Sequence, residues 1–203
     1  VVSTFLTLDG VMQAPGGSTE DVEGEFRFGG WSVPYWDDEI NAFMAEFMAN
    51  PFDLVLGRRT YDLFASFWPD APEEAGAKPL NDATKYVASR GTPPLPWGPA
   101  VLLEGDVASA IASLKEGDGP ELQIHGSADL LQTVLRHGLI DRMRVLTYPV
   151  VLGSGKRLFG EGIASSALKL VSSSVSSSGV VLSVYEPAGD VVTGSFGVEQ
   201  AAD

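Results

Sequence analysis

Two stretches of this 203-residue chain place glycine, hydroxyl and charged residues at the same kind of corner. One is "LVLGRRTYDLF" (54–64) and the other is "LQIHGSADLLQTVL" (122–135). Each runs from an apolar strand through a glycine into the start of a helix. A helix N-terminus has free backbone N–H groups and the positive end of the helix dipole, so it suits an anion. Gly57 and Gly126 let a ligand approach the backbone closely. Thr60 and Ser127 can cap the following helix or donate to a phosphate oxygen. Arg58 and Arg59 add guanidinium forks that match phosphate in a bidentate way. Ordinary strand-to-helix turns would use the same glycines and hydroxyl caps.

The charge balance makes the arginines informative. Thirteen Lys and Arg stand against 27 Asp and Glu, for a formal charge of −14. Nucleic acid, which is held by clustered Lys and Arg, is therefore an unsuitable partner, and so is an anionic membrane surface. Arg90 follows "YVAS" at a third strand end. Three arginines near strand ends in so acidic a chain favour a dinucleotide with an extra phosphate, NADP over NAD. The usual dinucleotide fingerprint is absent, because "GSGKRLFG" (153–160) has a displaced third glycine and follows a late strand. It also lacks P-loop spacing. A tight loop and a ligand contact both remain open for it.

Other candidates are less specific. Asp37, Asp38 and Glu39 begin a helix, where a proton donor or simple caps would fit. His125 ends a strand, as a proton relay or a hydrogen-bonded strand end. His137 suits a helix C-terminus. The chain has no cysteine, and no His/Asp/Glu set has metal-ligand spacing, so no metal is expected. No G-x-S-x-G elbow exists.

The elements that must position these groups follow from periodicity. "VVSTFLTL" (1–8) reads as a buried strand, and it lacks the basic start of a signal peptide. No apolar run is long enough to span a bilayer, and a cytoplasmic protein is expected. Residues 12–31 read as a long loop. Residues 37–50 form an amphipathic helix with Ile40, Phe43, Met44, Phe47 and Met48 on one stripe and Asp37 as N-cap. Residues 52–57 are a strand and 60–68 a helix, followed by a surface stretch over 69–83. Strands are expected at 84–89 and 100–104, a helix after Asp106, a strand at 121–126 and a helix at 127–138. A strand with a Pro-marked irregularity begins near Arg142, and 167–187 forms a closing antiparallel pair around Gly179. One domain over residues 1–203 is the simplest division. Early β-α alternation implies parallel crossovers in a three-layer α/β fold, with ligands at the carboxyl ends of the strands.

"LTLDGVM", "VLGRRTYDLF", "KYVASRG" and "IHGSADLLQTVLRHGLIDRMRVLTYPVVLGSGKRLF", in that order, resemble the dihydrofolate-reductase-like family. More closely they resemble stand-alone relatives of the reductase domain of the riboflavin-biosynthesis deaminase-reductase. The resemblance implies a mixed, mostly parallel sheet of about eight strands with an antiparallel C-terminal hairpin and helices on both faces. It implies NADPH across the carboxyl ends of the central strands. Gly57, Arg58, Arg59 and Thr60 would hold the pyrophosphate and 2′-phosphate, with Ser89 and Arg90 beside the adenosine phosphate. His125, Gly126, Ser127, Ala128 and Leu130 would form the turn under the pyrophosphate. Thr7, Asp9 and Gly10 would lie near the nicotinamide. Asp37 or Asp38 would match the acidic residue of the first helix, and Trp31, Tyr35 and Trp36 would offer a stacking wall or dimer contacts. The expected activity is reduction of a small pterin- or pyrimidine-like molecule by NADPH, in a homodimer. The alternatives are reduction of dihydrofolate itself and NADPH binding without turnover.

Overall fold

A computed structural model of the chain describes residues 1–72, 75–160 and 163–196. Apolar alternation builds the strands β1 (Val2–Thr7), β2 (Phe52–Gly57), β3 (Lys85–Ala88), β4 (Ala100–Leu102) and β5 (Glu121–Gln123). β6 (Met143–Tyr148), β7 (Leu168–Val175) and β8 (Val181–Pro187) complete the set. Among the described residues the α-helices are α1 (Asp38–Phe47), α2 (Arg58–Ala65), α3 (Ala77–Asp82), α4 (Val107–Lys115) and α5 (Ala128–Arg136).

The strands lie in two four-stranded groups, β4-β3-β2-β5 and β1-β6-β8-β7. A parallel bridge between Val2 and Ile124 joins them. There the Ser3 N–H donates to Ile124 O, and the Ile124 N–H to Val1 O, both at 2.9 Å. The order is therefore β4-β3-β2-β5-β1-β6-β8-β7. The first six strands are parallel, while β8 runs antiparallel to both its neighbours.

Pleating sends alternate residues to opposite faces, and the core splits accordingly. In β2, Phe52, Leu54 and Leu56 pack with Tyr61 of α2 and Leu80 of α3. Val55 faces the other way, into the cluster with Ile111 of α4 and Leu130, Leu131 and Val134 of α5. In β6, Met143 and Val145 join that second cluster. Leu146 and Tyr148 pack with Ile40 of α1, Trp31 and Val180.

Sequence and structure differ in two places. Helix α3 lies within the 69–83 stretch expected to be surface, and it buries Ala77 and Leu80. Its composition (Pro79, Asn81, Asp82) is poor for a helix, but that burial holds it, as does the Asn81 side chain, which donates to Trp68 O and accepts from Trp97 Nε1. Helix α2 begins at Arg58, two residues earlier than expected, so Thr60 lies inside its first turn. The serine-rich β7 is a strand exposed along its length and paired to β8.

Candidate functional site

A cleft of about 1470 Å³ opens at the carboxyl ends of β2, β3 and β5. Pockets for a single drug-sized ligand run to about 1,000 Å³, so this one has room for a large ligand and a small one together. The two glycine corners, 57–60 and 126–128, form its floor. Gly57 and Gly126 sit side by side, with the Gly57 N–H 3.4 Å from Gly126 O. Each glycine faces the hydroxyl residue of the other corner. A Cβ on Gly57 would meet Ser127 Oγ at 2.1 Å, and one on Gly126 would meet Thr60 Oγ1 at 3.0 Å. The corners interlock because neither glycine carries a side chain. The Gly126–Ser127 peptide is cis.

The helix starts differ in a way that bears on anions. Helices α1 and α4 are capped by carboxylates, Asp37 accepting from the Ile40 N–H and Asp106 from the Ser109 N–H, both at 2.9 Å. Helices α2 and α5 begin in the cleft, and neither has a side-chain cap. Thr60 and Ser127, which were candidates for capping, leave those N–H groups without one. Ser3 Oγ, on the cleft side of β1, is buried and unpartnered. Uncapped helix dipoles, side-chain-free backbone and an orphan hydroxyl are what a phosphate-bearing ligand needs of its host.

Arg58 and Arg59 diverge. Arg58 turns toward the β3 side, donating from Nε to Asp62 at 2.6 Å and from Nη1 to Pro94 O at 3.4 Å. Ser89 and Arg90 line the cleft on that side. Arg59 turns toward the loop after β1, where Glu23 and Asp21 meet it. Lys156, in the "GSGKRLFG" loop, pairs with the same two carboxylates at 2.7 and 2.5 Å. His125 lines the cleft beside the Phe47 and Phe64 rings. Desolvation there lowers its imidazole to about 4, so it is neutral near pH 7.

Ala128 and Leu130 also line the cleft, completing the expected set around the two corners. Thr7, Asp9 and Gly10 lie outside its lining. The Thr7 hydroxyl donates to Asp9 at 2.6 Å, and Asp9 accepts from the Leu152 and Gly153 N–H groups, so this turn braces β1 against the loop after β6. Those bonds, the Thr7 hydroxyl first, hold the Asp9 carboxyl at about 2. Asp37 and Asp38 also fall outside. Asp37 is committed to capping α1 and to the Ser178 N–H at 3.0 Å. Of the expected aromatic wall, only Trp36 reaches the cleft. Trp31 is buried edge-on against Tyr148, donating to Gln13 O, and Tyr35 packs on Tyr148 as well.

The wall opposite the corners is made instead by Phe5, Trp36, Asn41, Met44, Ala45 and Met48. Trp36 Nε1 donates to Asn41 Oδ1 at 2.7 Å, which leaves the Asn41 amide nitrogen as the free donor of that wall. Phe5 and Trp36 have ring centroids 5.9 Å apart. Met44 and Met48 were legible as one stripe of α1, but a helical stripe does not distinguish core from cleft. Asn41 gave no signal beyond its place one residue past Ile40.

Comparison with known proteins bears on the family and the fold. Residues 1–182 match the family model of the RibD C-terminal domain. The chain is 28% identical to the uncharacterised protein YyaP of Bacillus subtilis over 190 residues, covering 91% of this chain and 93% of YyaP. It is 28% identical to YwjB of the same organism over 171 residues, 84% of this chain and 87% of YwjB. Among solved structures, a protein from Shewanella described as a riboflavin biosynthesis protein superposes with a TM-score of 0.67 at 25% identity, over 92% of this chain and 97% of that one. Dihydrofolate reductase of Enterococcus faecalis, solved with NADP(H), superposes with a TM-score of 0.56 at 13% identity, over 92% and 94%, and shares the fold.

Proposed function

Because the chain belongs to the family of RibD C-terminal domains, we propose that it is an NADPH-dependent reductase acting on a small pterin- or pyrimidine-like heterocycle. The observation that carries this reading is the pair of uncapped helix starts, α2 and α5, meeting at Gly57 and Gly126 on the cleft floor. Bound there, NADPH would supply a hydride to the acceptor.

The chain's own groups then have distinct tasks. N–H groups at the starts of α2 and α5 bind the pyrophosphate, and Arg58, Ser89 and Arg90 bind the 2′-phosphate. Thr60 and Ser127 add hydroxyl donors. Phe5, Trp36 and Met44 supply a flat apolar wall for a planar ring. The Asn41 amide, oriented by Trp36, donates to a ring carbonyl or nitrogen. Neutral His125 adds no charge to the cleft. Asp37 and Asp38 receive no proton-transfer role in this reading, since neither lines the cleft.

A second reading, nucleotide binding without turnover, draws on one observation: no carboxylate of α1 lines the cleft. NADPH titration followed by absorbance across a panel of pteridines and pyrimidines separates the two. Oxidation of NADPH supports the reductase, and tight binding with no oxidation across the panel supports the binder. Arg58→Ala is expected to weaken NADPH by about 1.5–3 kcal/mol, the worth of a charge-assisted hydrogen bond, with NADH nearly unaffected. Equal losses for both would remove the 2′-phosphate from Arg58. A homodimer belongs to the proposal, and sedimentation velocity tests it.

A further inference from the structure

Arg59 and Lys156 come from separate segments that line the cleft, one from the start of α2 and the other from the loop after β6. Their side chains nonetheless converge on a single atom. Glu23 Oε2 accepts from Arg59 Nη1 and, at 2.7 Å, from Lys156 Nζ. Asp21 bridges the same pair, 2.5 Å from Lys156 Nζ and 3.7 Å from Arg59 Nη1. All four residues line the cleft. Two cations gripping one anionic oxygen is the arrangement that would hold a phosphate oxygen.

The Lys156 backbone is placed without help from those carboxylates. Gln13, almost fully buried, accepts the Lys156 N–H on Oε1 at 3.0 Å. Its Nε2 donates to Asp21 O at 3.2 Å and Glu23 O at 3.0 Å, so one side chain holds both the loop of Lys156 and the acidic segment. The Lys156–Asp21 pair is the more sheltered, with side-chain exposures of 29% and 22%, and the Arg59–Glu23 pair is exposed, at 66% and 55%. Exposed pairs of this kind contribute little and break readily. A phosphate carries more charge than a carboxylate and would compete well for the same two donors. Hydrogen bonds from Lys156 and then Arg59 keep the Glu23 carboxyl at about 2, so it is ionised throughout the neutral range.

We propose that Arg59 and Lys156 form a two-cation phosphate site, and that Asp21 and Glu23 occupy it as surrogates which a phosphate-bearing ligand displaces. This makes Lys156 a ligand-binding residue. It rests on the reading of the cleft as a nucleotide site, but the phosphate can come from the cofactor or from a phosphorylated substrate.

The test is isothermal titration of wild type, Glu23→Gln, Lys156→Met and a control, Glu25→Gln, in the same loop but outside the cluster. The ligands are NADP+, then UMP added over saturating NADP+, with uridine as the phosphate-free comparison. Freeing the site should tighten the phosphate ligand by at least about threefold beyond the control, because apparent affinity scales with the open fraction. Lys156→Met should weaken it, with uridine unmoved. Tightening confined to NADP+ assigns the site to the cofactor; tightening confined to UMP assigns it to the substrate. Glu23→Gln that weakens both, or matches Glu25→Gln, overturns the proposal, as does Lys156→Met without effect. Failure of every variant to bind NADP+, with UMP still responding to Glu23→Gln, would remove the NADPH reading and leave this one standing.

Discussion

Gly57→Ala isolates the interlock of the two corners. At φ −67 and ψ 152 the Gly57 backbone is open to any residue, so conformational strain plays no part. The cost is steric alone. The new methyl would sit 2.1 Å from Ser127 Oγ, 2.9 Å from Ser127 Cβ and 3.3 Å from Ser127 N. Rotating the hydroxyl away relieves only the first contact, so the α5 start must retreat from β2. Overpacking of this kind costs about 1–3 kcal/mol. For a chain of this length that lowers the melting temperature by about 2–4 °C per kcal/mol. The displacement should also weaken NADPH, whose proposed pyrophosphate site spans both corners. Ser127→Gly removes the two side-chain atoms that clash, and Ser127 makes no capping bond to lose. The double variant should therefore recover most of the loss, a coupling of about 1 kcal/mol or more. Thermal unfolding by circular dichroism, with NADPH titration of the four proteins, measures it. A single variant melting within about 1 °C of wild type, or a double variant whose losses add, would refute the interlock.

Asp37→Ala should lower stability by about 1–2 kcal/mol through loss of the α1 cap, with NADPH affinity unchanged in titration; a large loss of affinity would return Asp37 to the site. His125 gives a pH signature. Its pKa is lowered from 6.5 to about 4 by burial, so on acidification the unfolded chain takes up the proton first and stability falls between those values. Between pH 7 and 5 the loss is about 1–2 kcal/mol, allowing for water reaching the ring from the cleft. Urea unfolding should show that difference in wild type and not in His125→Gln.

The sequence determined the elements and the corners. Apolar period, Gly57 and Gly126, the arginine pair and the Asp caps are local signals, so β2, α2, β5 and α5 were legible within a few residues, as was the closing hairpin around Gly179. What lay beyond was set by contacts distant in the chain. Two adjacent arginines look equivalent on paper, yet successive residues of a helix point about 100° apart, and Arg58 and Arg59 reach opposite sides of β2. Asp37 and Asn41 are four residues apart, but Asp37 is the extended N-cap of α1 and meets Ser178, while Asn41, inside the helix, lines the cleft. Asp9, just past the end of β1, is met by the loop after β6, whose Leu152 and Gly153 N–H groups donate to it. Lys156 acquired its place only when Gln13, 143 residues earlier, hydrogen-bonded its backbone. Spacing along the chain fixes which side chains share a face; which neighbour each face meets depends on how the elements pack, and that decided the site.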